Sequence, residues 1–125
     1  MSRRKKRTVA ANAMVTVHPG GIRELHWHPN ADEWQYYMSG SGRMTVFSTG
    51  GRARTMDFHA GDVGYVQKTL PHYVQNTGRT DLKFLEMFKS SYYQDLALSE
   101  WLRHTPPELV MAHLEIDKTT LEAIP

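Results

Sequence analysis

Residues 20–40 read GGIRELHWHPNADEWQYYMSG, a stretch with a glycine at each end and three candidate metal-binding residues between them. His26 and His28 are separated by one residue, and Glu33 follows across a short turn. Residues two apart in an extended segment point to the same face, so both imidazoles can reach one ion. The full spacing is G-x5-H-x-H-x4-E-x6-G. The stretch therefore predicts a metal site built on strands.

This spacing is that of the first motif of cupins, so the chain resembles the cupin family. The second cupin motif, G-x5-P-x-G-x2-H-x3-N, is matched by Gly61, His72 and Asn76. Gln67 stands at the usual proline and Thr69 at the usual glycine, which we expect to alter the turn before His72 without removing that side chain. The resemblance implies that four side chains bind one metal ion: His26, His28, Glu33 and His72.

The chain has no cysteine, so its chemistry rests on histidine, carboxylates, arginine or tyrosine. Three imidazoles and one carboxylate suit Mn(II) or Fe(II) in an octahedron with two positions left open for substrate or dioxygen. Zn, Ni and Cu often bind such sites more tightly outside the cell, because raw affinity follows the divalent series. We expect Mn(II) as the working cofactor, with Fe(II) or another divalent metal as the alternative and dioxygen as co-catalyst.

Nearly the whole chain from residue 8 resembles one kind of cupin, the C-terminal domain of bacterial oxalate decarboxylases. The resemblance rests on residues 19–37, on GRMTVF at 42–47, on AGDVGYV at 60–66 and on residues 101–110. Those enzymes are usually two fused cupins, each with a metal. The resemblance implies an all-β cupin barrel, a double-stranded β-helix or jelly roll, with a short helical C-terminal extension.

Two charged residues match groups beside the metal of that family. Arg23 matches the arginine that meets the substrate carboxylate, and its guanidinium fork suits two-point carboxylate binding. Glu86 matches an acid on a neighbouring strand, which would point into the barrel near Arg23 and either orient the site or handle a proton. Without the resemblance, each residue would be interpreted as a solvent-exposed charge.

The chain departs from the family just after that strand, in the stretch SYYQD at 91–95. In the family's first domain, a lid at this place carries a glutamate that delivers a proton to the carbon losing CO2, and here Tyr92 holds the matching position. Loss of this acid favours oxidation or inactivity over decarboxylation. Glu86 and Tyr92 are the candidate replacements.

The resemblance implies a metal-dependent lyase that acts on oxalate or a similar small dicarboxylate. The expected reaction is decarboxylation to formate and CO2, with Arg23, Glu86 and Tyr92 as the catalytic side chains. Three alternatives stay open: an oxalate oxidase that forms peroxide, a non-catalytic metal-binding module, and a metal-dependent isomerase or dioxygenase with another substrate.

Turn signals recur through the first two thirds of the chain at close to the spacing of about 8–12 residues typical of a sandwich or small barrel. Between them lie short segments rich in β-branched and aromatic residues, which predict strands. A closed barrel removes the exposed edges of such strands. The predicted strands are 13–17, 33–38, 43–47, 54–58, 63–66, 72–76 and 82–88.

The C-terminal part has no glycine after residue 90 and predicts helices. Residues 105–108, TPPE, have the form of a capping box with proline at the first helical position. Ser99 and Asp117 are weaker N-cap candidates for two more short helices. The length predicts one domain with three parts. These are a basic disordered tail at 1–7, a cupin barrel at 8–90 and a helical extension at 91–125.

The net charge of +2 is unevenly distributed. Five of the 15 basic residues lie in the run RRKKR at 3–7, so the rest of the chain carries ten basic residues against 13 acidic ones. Such a run is typical of a solvated tail, and we expect no nucleic-acid partner. No stretch approaches the roughly 20 apolar residues of a membrane span, so we expect a cytoplasmic protein with no membrane partner.

The expected partners are a small carboxylate substrate and further copies of the chain. A single barrel leaves uncovered the apolar face that the fused family pairs between its two cupins. We therefore expect a homodimer or a higher homo-oligomer. The expected contact residues of the C-terminal helices are Trp101, Leu102, Leu109 and Leu114.

Overall fold

The computed structural model describes residues 9–125, so the predicted basic tail at 1–7 lies outside the described residues. This part of the chain forms nine strands and three α-helices. The strands are β1 (Ala11–Val17), β2 (Ile22–Trp27), β3 (Glu33–Ser39), β4 (Ser41–Ser48), β5 (Arg52–His59), β6 (Val63–Val66), β7 (His72–Asn76), β8 (Leu82–Phe88) and β9 (Leu96–Ala97). The helices are α1 (Leu98–Arg103), α2 (Pro107–Leu114) and α3 (Lys118–Glu122).

The strands form two antiparallel sheets around a shared interior. The four-stranded sheet has the order β1-β8-β3-β6, and the five-stranded sheet has the order β5-β4-β7-β2-β9. All seven predicted strands are present, which confirms the all-β prediction. β2 is additional, since arginine and glutamate interrupt the apolar pattern of its sequence IRELHW, and β9 is only two residues long.

The interior is apolar in one part and polar in another. Tyr37, Met44, Leu82 and Phe84 are fully buried in the apolar part, where the ring of Tyr37 stacks 4.5 Å from that of Phe58. Buried polar groups need partners, so a cluster of them inside a small barrel marks a candidate site. The buried polar residues are His26, His28, Glu33, Gln35, His72, Asn76 and Glu86.

The C-terminal extension begins with a strand, although residues 91–125 were expected to be helical. β9 pairs with β2, with Ala97 opposite His26 and Leu96 opposite Trp27. The segment before α1 is therefore part of the five-stranded sheet beside the histidines. Among residues 9–125, the structure has no helix with the length and apolar character needed to span a bilayer.

The helix ends agree with only part of the capping prediction. The side chain of Asp117 accepts a hydrogen bond of 2.7 Å from the backbone three residues later, which confirms it as an N-cap. The prediction of a capping box at Thr105 is wrong. The hydroxyl of Thr105 donates to the carbonyl of Trp101 in α1, and α2 begins at Pro107. Ser99 lies inside α1 rather than at its N-cap.

Four motif residues have left-handed backbone: Gly20, Gly40, Gly61 and Thr69. Two of them show how residue type and backbone interact. Gly40 has φ +83, and a Cβ there would lie 2.7 Å from the carbonyl oxygen of Asp81, so only glycine fits. Thr69 stands where cupins usually have glycine, yet it keeps φ +72 and its N–H donates to the His28 carbonyl at 2.8 Å. Thr69 thus adopts a conformation that glycine takes without strain, and the threonine carries the conformational strain. The expected alteration of the turn stays a prediction.

We expect Thr69→Gly to raise the free energy of unfolding by about 0.5–1 kcal/mol. Left-handed backbone costs a residue with a Cβ roughly 1–2 kcal/mol, and glycine avoids this cost. Glycine also has more conformational freedom in the unfolded chain, which offsets about 0.5–1 kcal/mol of the stabilisation. Urea unfolding measures the difference. Thr77→Gly is the control, because Thr77 is exposed and is not among the residues with positive φ. Equal destabilisation by both substitutions would contradict the prediction.

Candidate metal centre

Three histidines and one glutamate converge inside the barrel. One ligand atom from each of the four residues lies within 4.8 Å of the others. Each residue is 3% exposed or less. His26 follows a register shift in β2 and lies directly opposite His72, the first residue of β7, and Glu33 begins β3. The structure thus brings together all four side chains that the family resemblance implies: His26, His28, Glu33 and His72.

Each of the three imidazoles is held through its Nδ1 atom by a backbone carbonyl. A carbonyl oxygen only accepts hydrogen bonds, so Nδ1 carries the proton and Nε2 of the neutral ring carries the lone pair. All three rings therefore present a lone pair to the interior. The acceptors are the carbonyls of Glu24 for His26, Gln94 for His28 and Leu70 for His72.

The converging atoms fit a cation. Nε2 of His28 and of His72 each lie 2.9 Å from Oε2 of Glu33. Among residues 9–125, Nε2 of His26 and Nε2 of His28 are both buried without a hydrogen-bond partner. An unpaired buried polar atom costs about 1–3 kcal/mol. One divalent ion would satisfy these nitrogen and oxygen atoms together, and the backbone carbonyls bonded to the three Nδ1 atoms already orient the rings for it.

Burial and proximity shift the pKa values of these groups. Burial, together with the charges of His72 and Arg23, lowers the pKa of His26 to about 3, so this ring stays neutral. Burial alone would raise the pKa of Glu33, but the close contacts of its carboxylate with the imidazoles of His28 and His72 outweigh burial and hold the pKa well below its usual range. The same carboxylate more than offsets burial at His28 and raises its pKa. Protons and a metal ion would therefore compete for the same imidazole nitrogens and carboxylate oxygens.

Arg23 lies beside this cluster and is held by the segment that follows β8. Its Nη2 donates to the hydroxyl of Tyr93 at 2.7 Å and to Oδ2 of Asp95 at 2.5 Å. Burial would raise the pKa of Asp95, but the bonds from Arg23 and Tyr93 lower it. The arginine that is expected to bind a substrate carboxylate thus already holds a carboxylate of its own chain.

Glu86 is a buried acid inside the barrel, on the inward side of β8 opposite Gln35. Its Oε1 has no hydrogen-bond partner in the part of the chain that the structure describes. Burial, and then the charge of Glu33, raises the pKa of Glu86 to about 8, although Arg23 and His28 act in the opposite direction. A carboxyl group that stays protonated near neutral pH can donate a proton.

The structure brings Tyr93, and not Tyr92, to Arg23. Tyr92 is 56% exposed, and its hydrogen bonds run through its backbone. Tyr93 packs edge-on against the ring of His28 at 5.5 Å, and its hydroxyl donates to Asp95 at 3.0 Å. Residues 93 and 95 are two apart, the spacing of side chains on one side of an extended segment, so this signal is present in the sequence.

Residues 90–95, which we name the cover segment, connect the arginine to the metal ligands. The carbonyl of Gln94 holds His28, while Tyr93 and Asp95 on either side of it hold Arg23. A movement of the cover segment would therefore release Arg23 and also change the support of His28.

Comparisons with known proteins agree with this geometry. The family model described as Cupin matches residues 4–122. The oxalate decarboxylase of Bacillus subtilis is 56% identical over 108 residues, which cover 86% of this chain and 28% of the relative. A probable oxalate decarboxylase of Arthroderma benhamiae is 44% identical over 119 residues, which cover 94% of this chain and 29% of the relative.

Solved structures give the same result. A structure of Bacillus subtilis oxalate decarboxylase, from work on its Mn(II) centres, superposes with a TM-score of 0.91 at 51% identity and covers 94% of this chain and 31% of that chain. The chain thus spans less than a third of the length of these relatives. The expected barrel with short C-terminal helices is confirmed. The chain belongs to the cupin family.

Proposed function

We propose that this barrel is a Mn(II)-dependent lyase of the oxalate decarboxylase type, which cleaves oxalate or a similar small dicarboxylate to formate and CO2. The observation that carries the proposal is the convergence of four buried ligand atoms near Arg23 and Glu86. The 56% identity to an oxalate decarboxylase supports it. Because that relative is more than three times as long, the proposal concerns the activity of this barrel alone.

Four side chains would hold the ion, with Fe(II) as the alternative to Mn(II). When bound, the metal together with dioxygen supplies Lewis acidity and one-electron chemistry for cleavage of the C–C bond. A six-coordinate ion held by these four atoms would have room for substrate and dioxygen. The ligands are His26, His28, Glu33 and His72.

Arg23 binds and orients the substrate carboxylate through its guanidinium group. To do so it gives up Asp95, which now occupies its Nη2. Release of Asp95 removes one of the bonds that hold the cover segment, while the neighbouring Gln94 carbonyl still links this segment to His28. Substrate binding at Arg23 would therefore loosen the cover segment.

Glu86 supplies the proton that the reaction consumes. The oxalate dianion and one proton give formate and CO2, so the carbon that loses CO2 must be protonated. With a pKa of about 8, the buried Glu86 carboxyl is protonated at neutral and mildly acidic pH. Tyr92 is the alternative donor, and its exposed side chain would have to turn inward with the cover segment.

A non-catalytic module that binds metal and a small acid is the second candidate. The ion pair between Arg23 and Asp95 favours it, because the chain's own carboxylate closes the position that substrate needs. An oxalate oxidase is the third, because the cover segment lacks the family's lid glutamate.

One assay separates these candidates. Protein from Mn-supplemented growth is analysed for metal by mass spectrometry, and oxalate consumption is followed under air at mildly acidic pH with formate, CO2 and peroxide measured separately. Formate with CO2 supports the decarboxylase, and peroxide supports the oxidase. Mn-loaded protein that leaves oxalate unchanged would reject both and favour the binding module.

We expect Asp95→Asn to lower the KM for oxalate about 5-fold. The substitution removes the charge that competes for Arg23, and a partly exposed ion pair contributes at most about 1 kcal/mol. Steady-state kinetics with Mn-loaded protein measure the change. Asp57→Asn is the matched control, because Asp57 pairs with Arg43 at 2.7 Å on the exposed outside of the barrel. A KM that rises in Asp95→Asn would show that Asp95 assists binding instead.

The outward face of the four-stranded sheet supports the proposed homo-oligomer. Apolar side chains exposed on this face extend over neighbouring strands, and contiguous apolar surface of this kind is typical of interfaces. Size measurement at micromolar concentration tests the proposal, and a monomer would overturn it. One row across β1-β8-β3-β6 consists of Met14, Leu85, Tyr36 and Val63.

A further inference from the structure

Behind the metal ligands, β3 carries a chain of buried hydrogen bonds that the proposed chemistry does not use. The hydroxyl of Tyr37 donates to Oε1 of Gln35 at 2.7 Å, and Nε2 of Gln35 donates to Oε1 of Glu33 at 2.7 Å. All three residues are 0% exposed. Their two-residue spacing on an extended strand points all three side chains inward. We name these two hydrogen bonds the relay.

The direction of the relay is fixed by its chemistry. An ionised carboxylate only accepts hydrogen bonds, so Gln35 must turn its NH2 group to Glu33 and its carbonyl oxygen to Tyr37. The hydroxyl of Tyr37 must then donate. Tyr37 itself is held by ring stacking, at 4.5 Å on Phe58 and 5.2 Å on Phe84. The apolar core thus fixes the far end of the relay and leaves one favourable arrangement.

The relay makes the two oxygens of Glu33 unequal. Oε1 is taken by Gln35, whereas Oε2 lies 2.9 Å from Nε2 of both His28 and His72. We propose that Gln35 and Tyr37 are positioning residues that restrict Glu33 to binding the metal through Oε2 alone. This inference rests on the proposed metal centre. A carboxylate bound through both oxygens would take one of the two positions that four ligand atoms leave in an octahedron.

The neighbouring strand leaves room for the relay. Gly64 on β6 lies opposite Gln35, and a Cβ added there would stand 2.7 Å from Oε1 of Gln35. Gly64→Ala would therefore displace the amide without changing any residue of the relay or any metal ligand.

The test is the affinity and spectrum of Mn(II) in relay variants. Gln35→Met keeps the length of the side chain without its hydrogen bonds, and we expect the dissociation constant to rise about 10- to 100-fold, as for other outer-shell partners. Tyr37→Phe removes one hydroxyl and should raise it about 2- to 10-fold, the equivalent of about 0.5–1.5 kcal/mol. In both, and in Gly64→Ala, the zero-field splitting in the Mn(II) electron paramagnetic resonance spectrum should change.

A core variant outside the relay separates lost positioning from lost stability. Leu82→Ala opens a cavity at a fully buried position and should leave the Mn(II) spectrum unchanged. If Gln35→Met fails to fold, Tyr37→Phe decides, because it removes a single oxygen atom. A parental dissociation constant and spectrum in the folded relay variants would overturn the inference.

These readouts need no oxalate, so the two proposals can fail separately. A parent protein that binds Mn(II) but leaves oxalate unchanged would overturn the proposed activity, while spectral changes in the variants would still support the relay. A parent protein that binds no Mn(II) would overturn both.

Discussion

Replacing His72 with alanine will remove Mn(II) from the protein and abolish oxalate turnover. His72 supplies one of four converging ligand atoms, and its ring is fixed by the Leu70 carbonyl at 3.0 Å. Loss of a mere outer-shell partner weakens metal binding about 10- to 100-fold, so loss of a ligand should weaken it by more. Metal content after dialysis and titration with Mn(II) measure the loss.

The same substitution should remove the stabilisation that the metal provides. At a Mn(II) concentration 100 times the dissociation constant, binding stabilises the parent by about 2.7 kcal/mol, which for a domain of this size is a Tm increase of about 10 °C. His72→Ala should show no increase. His18→Ala is the control, because this side chain is 79% exposed and contacts Asp81 at the surface. A variant that keeps its full metal content would exclude His72 as a ligand.

This experiment also separates a structural from a catalytic metal. If His72→Ala loses the Tm increase while the parent has no activity to lose, the metal serves folding, as expected of the binding module. Loss of both supports the lyase. The distinction matters because the Arg23–Asp95 ion pair is compatible with either function.

The convergence of the four candidate ligands was predictable from the sequence because strand geometry repeats every two residues and the motif spacing selects the side chains. His26 and His28 needed only that periodicity, whereas Glu33 and His72 needed the motif spacing of the family resemblance. β2 was predicted only as the extended segment that carries the two histidines, because Arg23 and Glu24 interrupt its apolar pattern. The backbone conformation of Thr69 could not be predicted from its residue type, because the fold imposes a left-handed conformation that threonine disfavours.

The contacts of the cover segment could not be predicted from single positions. The family resemblance places Tyr92 at the position of the lid glutamate, but the side chains that reach Arg23 belong to Tyr93 and Asp95. An alignment assigns a position and does not give the direction of a side chain. Two-residue alternation would have indicated the pair, because both residues then face the same side of an extended segment.

Replacing Glu86 with glutamine will reduce formate production about 10²- to 10⁴-fold, the range that general acid–base groups contribute. Glutamine keeps the size of the side chain but cannot deliver the proton. Metal content should be unchanged, because Glu86 is not among the converging ligand atoms. Residual turnover should shift toward peroxide, since the carbon that loses CO2 is no longer protonated before dioxygen reacts. Glu108→Gln, at an exposed position of α2, is the control.

The metal-free protein offers a second measurement of the same carboxyl group. Burial raises the pKa of Glu86 from 4.5 to about 8, so between these pH values the folded state holds a proton that the unfolded chain has released. The free energy of unfolding of the parent should therefore fall, relative to Glu86→Gln, as pH rises from about 5 to about 8. Urea unfolding of both proteins at the two pH values measures this difference. A variant that shows the predicted stability difference but keeps full formate production would establish Glu86 as a buried neutral acid that is not the proton donor, and Tyr92→Phe would then test the alternative.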